Sequence, residues 1–148
     1  EYIQFTGKYQ LHSQRFNEQT EDDGSILTRF EGKVSVDGQE QLVTGKGNGP
    51  IDAFFHALAK IGVKGYGFVN YNEHAISKGS DAKAICYIEL KVPGDGHIFG
   101  VGIHANINVA SLLGIICAIN RAEQHLTKKA NGKKTTKKVA ARKTASHK

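Results

Sequence analysis

Methionine is absent from all 148 residues, and the chain starts at Glu1. The expectation is a piece of a longer protein rather than a whole reading frame. Cysteine is scarce: Cys86 and Cys117 each sit inside an apolar run, with no CxxC or Cys/His spacing. That pattern argues against a disulfide framework and predicts buried free thiols in a reducing, cytoplasmic setting. No apolar run reaches the roughly 18–20 residues a membrane span needs, and the first residues carry no signal-peptide pattern. A membrane partner is therefore not expected. Acidic residues are missing from 127–148, where nine Lys or Arg gather, leaving 11 basic against 14 acidic residues, a net charge of −3, for 1–126. The overall charge of +6 thus belongs to the tail. Low apolar content predicts that this Lys-rich tail is disordered, and without aromatic residues for base stacking nucleic acid is not an expected partner.

Catalytic patterns are missing too. None of the seven histidines forms an HxxxH or His-x-His pair beside a carboxylate, and no Gly-x-Ser-x-Gly or cysteine-nucleophile motif occurs. No catalytic residue, no metal ligand and no cofactor is assigned. Tyr71-Asn72-Glu73-His74-Ala75 groups an acid with a base, but in a strand Glu73 and His74 point to opposite faces. Asp52 and His56, at i and i+4 on a helix, read as a surface pair.

What is present is periodic. Residues 1–16 read as an extended segment and 17–25 as a solvated loop. From Ile26 to Val36 the even positions Ile26, Thr28, Phe30, Gly32, Val34 and Val36 alternate with mostly polar ones, a strand with one buried face. Asp37-Gly38 is a hairpin signal, with a return strand over Gln39–Thr44. Gly45-Lys46-Gly47-Asn48-Gly49-Pro50 then opens a helix whose apolar stripe is Ile51, Phe54, Phe55, Leu58 and Ile61. Strands are expected again at Tyr66–His74, from Lys83 to Val92, and from His97, whose odd positions His97, Phe99, Val101 and Ile103 line one face. A second helix, about Asn108 to His125, is apolar nearly all round. It needs cover on two sides, one from a sheet and one from a partner such as a second copy.

The halves look alike. Gly45 and Gly47 match Gly100 and Gly102 at an offset of 55 residues, suggesting two pseudo-symmetric units. The segment from Gly45 to Ile51 sets backbone N–H groups at a helix start, where glycines allow close approach and the helix dipole favours an anion. Binding is favoured over bond making.

Several motifs in fixed order carry a resemblance: Gly45–Ala53, Tyr71–Ala75, Gly79-Ser80-Asp81-Ala82, and Gly100-Val101-Gly102-Ile103 before a helix ending Ala118-Ile119-Asn120-Arg121. From about Ile26 to Arg121 the chain resembles the C-terminal regulatory domain of the 2-isopropylmalate synthase family. The resemblance implies an α+β fold of two pseudo-symmetric βββα-like units, sheets covered by helices, intertwined as a homodimer. It divides the chain into an N-terminal segment and loop (1–25), a regulatory domain (26–126, units about 26–76 and 77–126) and the tail (127–148). It also implies leucine as a feedback effector. Asn48, Gly49, Pro50, Ile51 and Asp52 would hold its carboxylate. Ile51, Phe68, Tyr71, Ala75 and Ile103 would wall its side chain, and Ala82 and Ala84 would lie beside it, with strand carbonyls open to its ammonium group. The implied partner within the same chain is an N-terminal catalytic barrel using a divalent metal, absent from these residues, so the piece itself is expected not to be an enzyme. Rival expectations are the isoleucine-sensing domain of citramalate synthase and a dimerisation module without a working site.

Overall fold

The computed structural model describes residues 7–76, 82–94 and 96–124. Residues 77–81, which include Gly79-Ser80-Asp81 of the resemblance, and the Lys-rich tail lie outside the described residues. Seven elements run in the order β1 (Tyr9–Thr20), β2 (Ile26–Val36), β3 (Gln39–Gly47), α1 (Pro50–Ala59), β4 (Gly67–Ile76), β5 (Lys83–Lys91) and β6 (His97–His104). A helix over 107–124, α2, follows. The strands make two antiparallel sheets, β1-β2-β3 and β4-β5-β6. The chain is thus α+β, two βββα units in succession.

Two details differ from the sequence reading. The segment before Ile26 is not separate from the first unit, because β1 pairs with β2 from Tyr9↔Val36 to Thr20↔Ile26. It also continues into the stretch expected as loop, through Asn17–Thr20, leaving 21–25 as the turn. The strand over Gly67–Ile76 pairs with β5, so it opens the second unit rather than closing the first, and the division falls between α1 and β4. Strand pairing is a tertiary choice, and alternation along one segment does not reveal its partner.

Local chemistry explains the elements. Asp37 and Gly38 both take positive φ, 51° and 86°, the mirror-image turn that matches strand twist, which favours glycine at the second position. In β2 the even residues Thr28, Phe30, Gly32 and Val34 are buried, as alternation predicts, whereas Ile26 at the strand start is exposed. Pro50 stands at the first helical position of α1, where it loses no intrahelical bond. The helix buries Ala53, Phe54, Ala57 and Leu58. After it, the Val63 N–H donates back to the Leu58 carbonyl at 3.0 Å.

Helices lie unusually close to strands where glycine replaces a side chain. A Cβ on Gly45 would strike the Ala53 carbonyl and the Ala57 amide. One on Gly102 would strike the Ala110 carbonyl and the Gly114 amide. The helix residues stand at the same spacing from the glycine in both cases, so Gly45 corresponds to Gly102. The structural repeat is 57 residues, not the 55 suggested by matching the two Gly-x-Gly pairs. Helix starts at 50 and 107 agree with this offset.

One core serves both units. Phe30, Val34, Phe54, Ala57 and Leu58 of the first unit share it with Ile88, Leu90, Leu112, Ile115 and Ile119 of the second. The second side of α2 is therefore covered by the first unit of the same chain, and its all-round apolarity needs no second copy. Fully burying each such side chain contributes about 1.5–3 kcal/mol. A polar clasp joins the units at Asn120, which is 2% exposed. Its Oδ1 accepts the Tyr9 N–H at 2.9 Å, and its Nδ2 donates to the Tyr9 carbonyl at 2.8 Å.

Candidate functional site

A cleft of about 570 Å³ opens at the seam between the units. It is lined by Asn48, Gly49, Pro50, Ile51, Asp52 and Phe55 from the start of α1, by Phe68, Tyr71 and Glu73 from β4, and by Ile107, Asn108 and Ser111 from the start of α2. Its volume lies in the range of roughly 300–1,000 Å³ usual for small-molecule sites. Phe68, Tyr71 and Ile107 are among the large apolar side chains left exposed. Their gathering in one concave place is the feature that marks a ligand surface rather than scattered exposure.

The two helix starts facing the cleft differ. At α2, Asn106 Oδ1 accepts the Asn108 N–H at 2.8 Å and the Val109 N–H at 3.2 Å, an ordinary side-chain cap. At α1 the capping position is Gly49, extended at φ −175°, which has no side chain to cap with. Pro50 has no N–H, and the amides of Ile51 and Asp52 have no acceptor among the described residues. Two backbone donors at the positive end of a ten-residue helix thus face the cleft.

Among the described residues the ionic side chains of the lining are two carboxylates, Asp52 and Glu73. Asp52 is engaged: Oδ2 accepts the Asn48 N–H at 3.0 Å, and Oδ1 lies 3.7 Å from His56 Nε2. His56 in turn contacts the Lys46 carbonyl through Nδ1. The Asp52–His56 pair is solvent-exposed, as the sequence suggested, and such pairs contribute little. Glu73 has neither a hydrogen bond nor an ion pair among the described residues. It lies opposite Cys86 in the strand register, and Cys86 Sγ lies 3.3 Å from Ser111 Oγ. Burial pushes the Cys86 thiol pKa up, the Ser111 contact pulls it down, and the nearby Glu73 charge pushes it up again.

The structure brings together seven of the residues singled out in the sequence: Asn48, Gly49, Pro50, Ile51, Asp52, Phe68 and Tyr71. Four others do not line the cleft. Ala75 and Ala84 pair with each other one alternate step past Glu73 and Cys86, on the same sheet face but beyond the cleft. Ala82 precedes β5. Ile103 pairs with Ile85, itself opposite His74, so it belongs to the other face of the sheet. There His74 packs edge-on against Tyr87, with ring centroids 5.8 Å apart. Phe55, Glu73, Ile107, Asn108 and Ser111 were not singled out as ligand contacts. The last three were findable: at the structural offset of 57, Ile107, Asn108 and Ser111 correspond to Pro50, Ile51 and Phe54.

Fold and cleft define the class: a repeat-built α+β domain with a mixed polar and apolar cleft at the seam of its units and, among the described residues, no cluster of three or more metal-ligating side chains. The chain belongs to the family described as the LeuA allosteric (dimerisation) domain, which residues 1–123 match. It is 36% identical over 124 residues to a 2-isopropylmalate synthase of Clostridium acetobutylicum, covering 83% of this chain and 22% of that protein. A 2-isopropylmalate synthase of Mycobacterium ulcerans is 43% identical over 104 residues, covering 70% and 18%. One from Parafrankia sp. is 48% identical over 91 residues, covering 62% and 16%. The chain spans about a fifth of the length of these relatives. The resemblance to the regulatory domain of that enzyme family therefore holds.

Proposed function

We propose that the seam cleft is an allosteric leucine site, and that the chain is the regulatory and dimerisation part of a 2-isopropylmalate synthase acting in the cytoplasm. The observation that carries this reading is the pair of uncapped amides at Ile51 and Asp52 beside apolar walls. In this reading the ligand carboxylate docks on those amides at the positive end of α1. The branched side chain lies against Ile51, Phe55, Phe68, Tyr71 and Ile107, with Ala75, Ala82 and Ala84 leaving room beyond them. Condensation of acetyl-CoA with 2-oxoisovalerate, and its divalent metal, would belong to a catalytic barrel outside this chain. Dimerisation is supported by the family description.

Inhibition then requires only that leucine bind one state of the dimer better than the other, typically by about 1–3 kcal/mol of coupling. Titration calorimetry with leucine and isoleucine tests the effector. Preference for isoleucine would move the chain to the citramalate synthase type of sensor. No response to either, with a dimer in sedimentation, would leave a dimerisation module. Gly49→Asp should weaken leucine binding, because a carboxylate at the helix start would occupy and repel the ligand's own. Unchanged affinity would remove the helix-start docking model.

A further inference from the structure

The two units differ where equivalent residues face the space between sheet and helix. In the first unit Phe16 lies opposite Phe30 in the register, and the rings are 5.4 Å apart. Phe30 meets Phe54 of α1 edge-on at 5.1 Å. These three rings fill the corner where β1, β2 and α1 meet. Gly45, paired with Phe30, corresponds to Gly102, paired with Cys86. By that correspondence Phe16, Phe30 and Phe54 become Glu73, Cys86 and Ser111 in the second unit. The register agrees, since Glu73 lies opposite Cys86. So does the helix contact, since Cys86 meets Ser111 as Phe30 meets Phe54. An aromatic plug in one unit is thus a small, polar set in the other, and two of its members, Glu73 and Ser111, line the cleft.

We infer that this replacement is what makes the site, and that Glu73 is its specificity determinant, receiving the α-ammonium group of the amino acid and so separating it from 2-oxo and desamino acids of the same skeleton. The inference rests on the proposed amino-acid site and deepens it. Among the described residues the cleft lining holds two carboxylates and no lysine, arginine or histidine. Asp52 already accepts an amide hydrogen bond and faces His56. Glu73 is the carboxylate in the lining without such a partner among the described residues. It stands on β4, and it lines the same cleft as Ile51 and Asp52 of α1. A zwitterion lying between them presents its carboxylate to the helix start and its ammonium to Glu73, a charge-assisted contact that a 2-oxo acid cannot make. Because Phe16 and Phe54 close the equivalent corner of the first unit, the pseudo-symmetric pair of units holds one such site per chain.

The test is calorimetry on the chain with leucine, 4-methyl-2-oxopentanoate and 4-methylpentanoate. The unaltered chain should bind leucine well ahead of the other two. Glu73→Gln should weaken leucine about 10- to 100-fold, the usual effect of losing a hydrogen bond to a charged group. The two analogues should be unchanged or bind more tightly. Glu73 is exposed, so the variant should keep its melting temperature. Equal losses for all three compounds, or an unchanged leucine affinity, would overturn the assignment. Ser111→Phe supplies the second arm by placing a ring where the first unit has Phe54. It should abolish leucine binding while the circular dichroism spectrum is retained, and normal binding would show that the open corner is not the site. If the unaltered chain binds neither leucine nor isoleucine, the amino-acid reading itself fails. If it binds leucine and Glu73→Gln changes nothing, only the ammonium assignment fails.

Discussion

Removing the Asn120 side chain gives a stability change whose size follows from the geometry. Asn120→Ala deletes both hydrogen bonds to Tyr9, at 2.9 and 2.8 Å, across 111 residues of sequence. It leaves the Tyr9 N–H and carbonyl without those partners next to a side chain only 7% exposed. Each buried backbone group so orphaned costs about 1–3 kcal/mol. A water entering the vacated polar space recovers part of that, so the expected loss is about 2–4 kcal/mol, a large share of the roughly 5–15 kcal/mol of a typical domain. Urea unfolding followed by circular dichroism should show the midpoint falling by about 1–2 M with an unchanged slope. Gly7 supplies an internal control. A Cβ there would lie 2.5 Å from Asn120 Cγ and 2.8 Å from Asn120 Oδ1, so Gly7→Ala alone should destabilise. In the Asn120→Ala background the Cγ and Oδ1 contacts are gone and only the 2.8 Å approach to Cβ remains, so the double variant should be more stable than the sum of the single losses. A loss under about 0.5 kcal/mol for Asn120→Ala, or strict additivity in the cycle, would refute the clasp between units.

Three further outcomes follow from packing and ionisation. Gly102→Ala should destabilise by about 3 kcal/mol, because the new Cβ meets the Ala110 carbonyl and lies 2.5 Å from the Gly114 amide, and backbone cannot step aside as a side-chain tip can; an unchanged melting temperature would contradict the close helix–strand approach. Tyr66 donates its hydroxyl to Glu123 Oε2 at 3.0 Å, and burial first, then that carboxylate, hold its phenol protonated well above the usual range. An unfolded tyrosine ionises near pH 10, so this contribution is intact below about pH 10 and is lost as pH rises further. Tyrosinate absorbance should show one phenol silent until alkaline unfolding, and Tyr66→Phe should flatten that part of the stability profile. Cys86 and Cys117 are buried, and the Cys86 thiol pKa is raised, so neither should react with a thiol reagent before unfolding; fast labelling of the native chain would place a thiol at the surface.

Much of the fold is written in periodicity, and the exceptions have definite causes. Thr28, Phe30 and Val34 face inward as period two requires, Asp37-Gly38 makes the mirror-image turn, and Pro50 opens α1. These are local effects, fixed by side-chain alternation and backbone sterics. Strand partnership is not local, so alternation alone places β4 with the first unit and β1 with neither, whereas pairing joins β4 to β5 and β1 to β2. After His97 the odd positions of β6 are apolar, yet the face against α2 carries Gly100 and Gly102, because helix proximity selects the absence of a side chain. Counting apolar residues therefore favours the wrong face and misplaces Ile103. The same glycines gave a repeat of 55 where the helix contacts require 57. The two-residue difference conceals the correspondence of Phe54 with Ser111, and with it the α2 side of the cleft. The α1 side, Asn48–Asp52, was legible because glycine and proline at a helix start have a direct physical reading.

Calorimetry of the chain with leucine decides whether the seam of the two units is a leucine site. Saturable binding of one leucine per chain, tighter than isoleucine and lost in Ser111→Phe, is the expected result. No heat of binding for the folded chain, or binding untouched by Ser111→Phe, would contradict it.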